Sequence, residues 1–216
     1  YMTITKYGQC CLLIEINNVR ILTDPGRFST AQNDLTDLDL ILITHEHADH
    51  LHTESLETIM AKNPKVEIVT NSGVGKILTE LNIPHTICEG STAINRSNLS
   101  IEAFDGKHVE IFEEFGQVQN TGYFIGEELF YPGDAYTNPR KEVPILALPV
   151  SGPWCSSADA IKYAVEVNPQ KAFPVHDYLL NEEGTELTHT IFEAALKGQG
   201  VEFVRLRNNE TKEFYG

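Results

Sequence analysis

The sequence predicts an α+β fold: sheets covered on their outer faces by helices, within one domain spanning residues 1–216. Two observations carry this expectation. β-rich segments come in runs in both halves of the chain, with helix-period segments interspersed among them. No linker, low-complexity tract or clean shift in composition divides the 216 residues, a length that a single domain accommodates.

The elements follow in order. Residues 3–7 and 11–16 read as strands, and the Asn17-Asn18 pair turns the chain into a third at 19–23. Asp24-Pro25-Gly26 then breaks the sheet. A buried strand over 40–44 leads into a histidine-rich loop. Apolar positions 56, 59 and 60 make 55–60 helical, and 66–69 is a strand. Val74, Ile77, Leu78 and Leu81 share one face of a helix over 73–81. Strands are expected at 100–104, 108–112, 123–125, 129–131 and 145–148. Helices over 157–167 and 186–197 flank a strand at 171–175, and 201–206 closes the sheet. Both halves share a rough pattern of strands, then helix, then strand.

Composition narrows the function classes. A hydrophobic content of 41% suffices for a core, and no stretch reaches the ~20 apolar residues of a membrane helix. Met2 is followed by polar and strand-like residues, without the charged segment and apolar run of a signal peptide, so a cytoplasmic location and no membrane partner are expected. Cys10, Cys11, Cys88 and Cys155 form no C-x-x-C pattern and read as buried small hydrophobes. Cys155, beside Trp154 in a loop, is alternatively placed near the site. Sixteen Lys and Arg against 31 Asp and Glu give a charge of -15 with no compact basic cluster, which argues against nucleic acid as a partner. A small anionic substrate stays possible, because bound metal ions dominate the local field.

The chemistry concentrates at Thr44-His45-Glu46-His47-Ala48-Asp49-His50. Imidazole nitrogen and carboxylate oxygen are the ligands that zinc, iron or manganese take from proteins. A short loop after a buried strand can aim alternate side chains at one point and adjacent ones at two. His45 and His47 would then serve one ion, and Asp49 with His50 a second. Further ligands are sought beside turn-forming residues at strand ends: His108 after Asp105-Gly106, Asp134 after Pro132-Gly133, and His176 after the strand at 171–175.

On these residues the whole chain resembles the metallo-β-lactamase superfamily. Its His-x-His-x-Asp-His signature matches His45, His47, Asp49 and His50; its later histidines match His108 and His176, and its bridging aspartate matches Asp134. The resemblance implies a four-layer αββα sandwich with the site along one edge. It implies that His45, His47 and His108 hold one divalent ion, that Asp49, His50 and His176 hold the other, and that Asp134 lies between them. Zinc is expected, with manganese or iron as alternatives. Asp24, in Thr23-Asp24-Pro25, would orient a ligand histidine. The likeness is greatest to the compact, lactonase-like branch. His47 stands where oxygen-reducing di-iron members carry Glu, so redox chemistry is disfavoured.

The implied function is a hydrolase using a hydroxide activated by two metals on a small ester, lactone or phosphoester, with Asp49 also moving a proton toward the leaving group. A nucleotide phosphodiesterase and a non-catalytic metal-binding scaffold or sensor are the alternatives. Arg140 or Lys107 would hold an anionic group or be solvated, Trp154 would be an apolar wall or simply core, and Tyr136 lies near a position where lactone-cleaving relatives carry tyrosine. His52, His85 and His189 carry no ligand role; the last two read as ordinary surface or helix residues.

Overall fold

A computed structural model describes residues 1–96 and 98–215. The first half contains β1 (Met2–Gly8), β2 (Cys11–Ile16), β3 (Val19–Thr23), β4 (Leu40–Leu42), α1 (Thr53–Lys62), β5 (Glu67–Thr70), α2 (Ser72–Glu80) and β6 (Thr86–Ile87). The chain continues through β7 (Ala93–Arg96), β8 (Leu99–Lys107), β9 (Gln119–Ile125), β10 (Leu129–Tyr131) and β11 (Ile145–Pro149). It ends with α3 (Ser157–Val167), β12 (Lys171–Val175), α4 (Glu182–Lys197), β13 (Glu202–Phe203) and β14 (Glu210–Phe214).

The strands form two seven-stranded sheets, ordered β14-β1-β2-β3-β4-β5-β6 and β13-β12-β11-β10-β9-β8-β7. Each sheet is antiparallel on one side and parallel on the other, where α1 to α4 supply the β4–β5, β5–β6, β11–β12 and β12–β13 crossovers. Ile4, Leu12, Ile14 and Ile21 of one sheet meet Ile101, Tyr123, Ile125 and Phe173 of the other in the central core. α1 and α2 pack Leu56, Ile59, Val74 and Leu78 on the outer face of the first sheet. α3 and α4 pack Ala160, Tyr163, Phe192 and Leu196 on the outer face of the second. The result is the expected four-layer αββα sandwich.

Local chemistry sets the elements. Asn17 (φ 51°) and Asn18 (φ 61°) take the left-handed conformation that a tight β2–β3 turn requires and that Asn tolerates. Asn71, Ser156 and Asn181 accept the N–H groups of Val74, Asp159 and Gly184, and so cap α2, α3 and α4. β11 is buried throughout, which suits a parallel strand covered on both faces.

Two expectations need correction. Residues 108–112 are not a strand: β8 ends at Lys107, and His108 N–H and Val109 N–H bond to the carbonyls of Val118 and Asp134 instead of extending a ladder. The segment 201–206 contributes only the short edge strand β13. The chain then crosses back, and β14 pairs with β1 in the other sheet. β14 reads Glu-Thr-Lys-Glu-Phe, too polar to suggest a strand before its partner is known. No helix among the described residues is long and apolar enough to cross a membrane.

Candidate metal centre

The parallel strands of the two sheets end side by side, and four chain segments meet there. The loop after β4 carries His45, His47, Asp49 and His50; His108 follows β8, Asp134 follows β10 and His176 follows β12. Close approach at this edge requires glycine. A Cβ on Gly133 (φ 66°) would stand 2.4 Å from Asn120 Oδ1, and one on Gly26 would stand 1.8 Å from the Asp49 carbonyl.

The seven side chains form two groups able to hold an ion: His45, His47 and His108, and Asp49, His50, Asp134 and His176. Asp134 touches both. Its Oδ2 lies 3.0 Å from His176 Nε2, 3.2 Å from His108 Nε2 and 3.7 Å from His45 Nε2, while its Oδ1 lies 3.2 Å from His50 Nε2. Asp49 Oδ2 is 3.5 Å from both His50 Nε2 and His176 Nε2.

The outer nitrogens fix the ring tautomers. His50 Nδ1–H donates to Asp24 Oδ2 at 2.7 Å, His176 Nδ1–H to the Ser151 carbonyl at 2.6 Å and His108 Nδ1–H to the Val109 carbonyl at 2.5 Å. Thr44 Oγ1 spends its proton on Asp24 Oδ2, so it accepts from His45 Nδ1–H at 3.0 Å. Each of these four rings therefore turns Nε2 inward, the pattern by which outer groups orient metal-binding histidines. Asp24 is the hub: fully buried, it also accepts from Thr44 N–H and Tyr131 Oη.

His45 Nε2, His50 Nε2 and Asp134 Oδ1 are buried without an aligned hydrogen bond, although His50 Nε2 and Asp134 Oδ1 stand 3.2 Å apart. Buried polar atoms rarely stay unpaired, because desolvation costs about 1–3 kcal/mol each. Lone pairs stranded around one point are what a cation satisfies, so the residues fit divalent metal.

The electrostatics agree. Burial opposes charge on Asp134, yet His176, His50 and His45 hold its carboxyl well below the ordinary range. Burial likewise opposes ionisation of Asp49, but hydrogen bonds from His176 and His50 hold its carboxyl below normal. Burial pulls His176 down, but Asp134 outweighs it and raises the imidazole to about 10. His50 is raised against its burial by Asp134, Cys10 and Asp24. Burial, reinforced by neighbouring imidazoles, keeps His45 and His47 low and neutral. The pocket thus draws positive charge between its two carboxylates.

Other sequence candidates are resolved here. Trp154 serves as both core and wall: its ring packs 5.5 Å from His108 and 5.3 Å from His176, within the core under α3. Tyr136 lies tilted against it, with ring centroids 5.6 Å apart. Burial pushes the Cys155 thiol up to about 11, so it stays protonated and hydrophobic. Arg140 is 81% exposed and pairs with Glu166 of α3, and Lys107, next to His108, is exposed. His189 is not an ordinary surface residue: it is fully buried, 4.0 Å from Asp177.

Sequence reasoning missed Gln9 and Lys6. Gln9 Nε2 lies 2.8 Å from Asp49 Oδ2 and 3.0 Å from His176 Nε2. Lys6 Nζ, fully buried, lies 2.6 Å from Asp177 Oδ1 and donates to the Pro174 carbonyl at 2.9 Å. Only the alternation of β1, which puts Lys6 on the same face as Met2 and Ile4, signalled that a charge points inward.

A model of the β-lactamase superfamily domain matches residues 3–176. The Mycobacterium tuberculosis protein Rv0786c is 31% identical over 215 residues, covering 94% of this chain and 100% of its own length. A UPF0173 metal-dependent hydrolase of Methanocaldococcus jannaschii is 26% identical over 197 residues, 80% of this chain and 83% of that one. Among solved structures, the metallo hydrolase Igni18 of Ignicoccus hospitalis superposes with a TM-score of 0.77 at 19% identity, covering 99% of each chain.

Proposed function

The chain belongs to the β-lactamase superfamily domain family, and from that premise we propose that it is a metal-dependent hydrolase in which seven clustered side chains hold two divalent ions. In this reading His45, His47 and His108 hold one ion, Asp49, His50 and His176 the other, and Asp134 serves both. The observation that carries it is the convergence of buried ligand atoms on Asp134, with His45 Nε2, His50 Nε2 and Asp134 Oδ1 making no aligned hydrogen bond. The M. jannaschii relative's name supports the same activity. A nitrogen-rich position beside a mixed nitrogen and carboxylate position suits zinc, and accommodates manganese or iron.

When bound, such ions supply Lewis acidity toward a substrate oxygen and bring the pKa of water from about 15.7 to about 7. The chain's own residues do the positioning. Asp24, Thr44 and the carbonyls of Ser151 and Val109 hold four imidazoles in the tautomer that presents Nε2. Asp49 is the more open carboxylate, its side chain 21% exposed against 2% for Asp134. It would accept the proton that the attacking water loses and pass it to the oxygen of the leaving group as that bond breaks. Trp154 and Tyr136 form an apolar wall that keeps bulk water from one side. The substrate is a small ester, lactone or phosphoester.

Metal analysis of the purified protein, followed by assay against lactones, thioesters and bis-aryl phosphodiesters, tests this reading. Two ions per chain and turnover of one class are expected. His45→Ala and His176→Ala should lower metal content and turnover together. Protein that takes up no transition ion, or a His176→Ala variant with undiminished metal and activity, refutes it.

A further inference from the structure

We propose that Lys6 is a positioning residue for the metal centre: from the opposite sheet it ties down the chain on both sides of His176, and so sets the backbone turn that aims this imidazole at its ion. The proposal rests on the hydrolase reading above and names what fixes one of the ligands that reading requires. Lys6 projects from β1 into the core on the same face as Met2 and Ile4, and is fully buried. Its ammonium group supplies three N–H donors and no acceptor. Two of its contacts are hydrogen bonds to carbonyls, Pro174 at 2.9 Å and Leu206 at 3.4 Å. The third is the ion pair with Asp177 Oδ1 at 2.6 Å, which lacks the alignment of a hydrogen bond.

The topology creates the need for such a group. Along the side that β12 turns to β13, the carbonyls of Gln170 and Ala172 accept Glu202 N–H at 3.0 Å and Val204 N–H at 2.8 Å. Carbonyls on one side of a strand recur every second residue, so Pro174 presents the next acceptor in that row. The pairing of β12 with β13 ends at Ala172 and Phe203, one step short of it. Lys6 Nζ takes that acceptor instead, together with the carbonyl of Leu206 in the departing segment. A buried carbonyl seldom goes without a donor. An apolar residue at position 6 would fill the space and leave this one unpaired.

Lys6 thus grips residue 174 ahead of His176 and residue 177 behind it. Between them His176 has φ 62°, a left-handed conformation that is unfavourable for a residue with a Cβ and persists where its surroundings impose it. The His176 N–H bonds to the Gln9 carbonyl at 3.0 Å and its Nδ1–H to the Ser151 carbonyl at 2.6 Å, which orients the ring. The Lys6 contacts hold the backbone on which that ring is mounted. His45, His47 and His108 come from the loop after β4 and the end of β8, so loss of Lys6 should fall on one ion and spare the other. The sign is diagnostic as well. By charge alone, removing a cation and leaving the Asp177 carboxylate would tighten the binding of a metal ion, whereas loss of position weakens it.

The test titrates metal-free protein with zinc by calorimetry and records cadmium NMR of the loaded form. Lys6→Met and Lys6→Met/Asp177→Leu are compared with wild type, and urea unfolding gives the stability of each. Wild type should take up two zinc ions and show two cadmium resonances. Both variants should bind one ion with wild-type affinity and the other about tenfold to a hundredfold more weakly, with one resonance unmoved and the other broadened or lost. The double variant separates position from stability, because removing both charges should restore folding without restoring the tie to Pro174. Should Lys6→Met fail to fold, the double variant decides alone. Two ions at wild-type affinity, tighter binding of either ion, or equal weakening of both overturns the assignment. A wild type that binds fewer than two ions overturns the underlying two-ion reading instead.

Discussion

Replacing Lys6 by Met should be the most damaging single change outside the metal cluster. The ammonium group is fully buried, 2.6 Å from an Asp177 carboxylate whose side chain is 3% exposed. His189 lies 4.0 Å from Asp177, and burial lowers its proton affinity so that it stays neutral at pH 7. Met matches the Lys stem but leaves the carboxylate uncompensated. Removing one partner of a buried pair costs about 3–5 kcal/mol, and the Pro174 carbonyl loses a donor besides. A loss of that size consumes much of the ~5–15 kcal/mol that holds a typical domain together. Urea unfolding at pH 7, followed by circular dichroism, would measure it. The double variant Lys6→Met/Asp177→Leu, which removes both charges, should regain most of the loss, since apolar replacement of a buried pair is often neutral or better. A Lys6→Met variant within about 1 kcal/mol of wild type, or a double variant no better than the single, would refute the reasoning.

Asp24→Asn should weaken metal binding by about tenfold to a hundredfold, measured by competition with a chelator, because Asp24 orients His50 and, through Thr44, His45. Gly133→Ala should cost at least about 1–2 kcal/mol in denaturant unfolding and displace Asp134, since the residue sits at φ 66° against Asn120. His189 gives a pH signature. Burial, which outweighs the opposing pull of Asp177, lowers its folded proton affinity below the ordinary value near 6.5. Its contribution is therefore fully present above pH 6.5. It is lost as pH falls toward the lowered value, where the unfolded chain takes a proton that the folded one refuses. His189→Gln should flatten the acid side of the stability profile, and an unchanged slope in urea titrations from pH 7 to 5 would count against this.

The sequence by itself determined whatever is encoded within a few residues of chain. The Asn17-Asn18 turn, the helix over 157–167 and the strand at 171–175 stand where local periodicity and turn chemistry put them. The ligand-type side chains were legible too, because the His-x-His-x-Asp-His run follows a buried strand and the later candidates sit beside turns. Family resemblance supplied what spacing could not, namely which later residue would join which group; the structure brings the seven side chains together around Asp134. Only the tertiary structure decided the partners drawn from opposite sheets: Gln9 against Asp49 and His176, Lys6 against Asp177, Ser151 behind His176, and β14 beside β1. The physical reason is reach. A turn or helix is stabilised by neighbours in sequence, whereas these contacts exist only once two sheets have closed face to face. A polar residue such as Gln9 then has no local pattern to mark it, and its role is written in the packing.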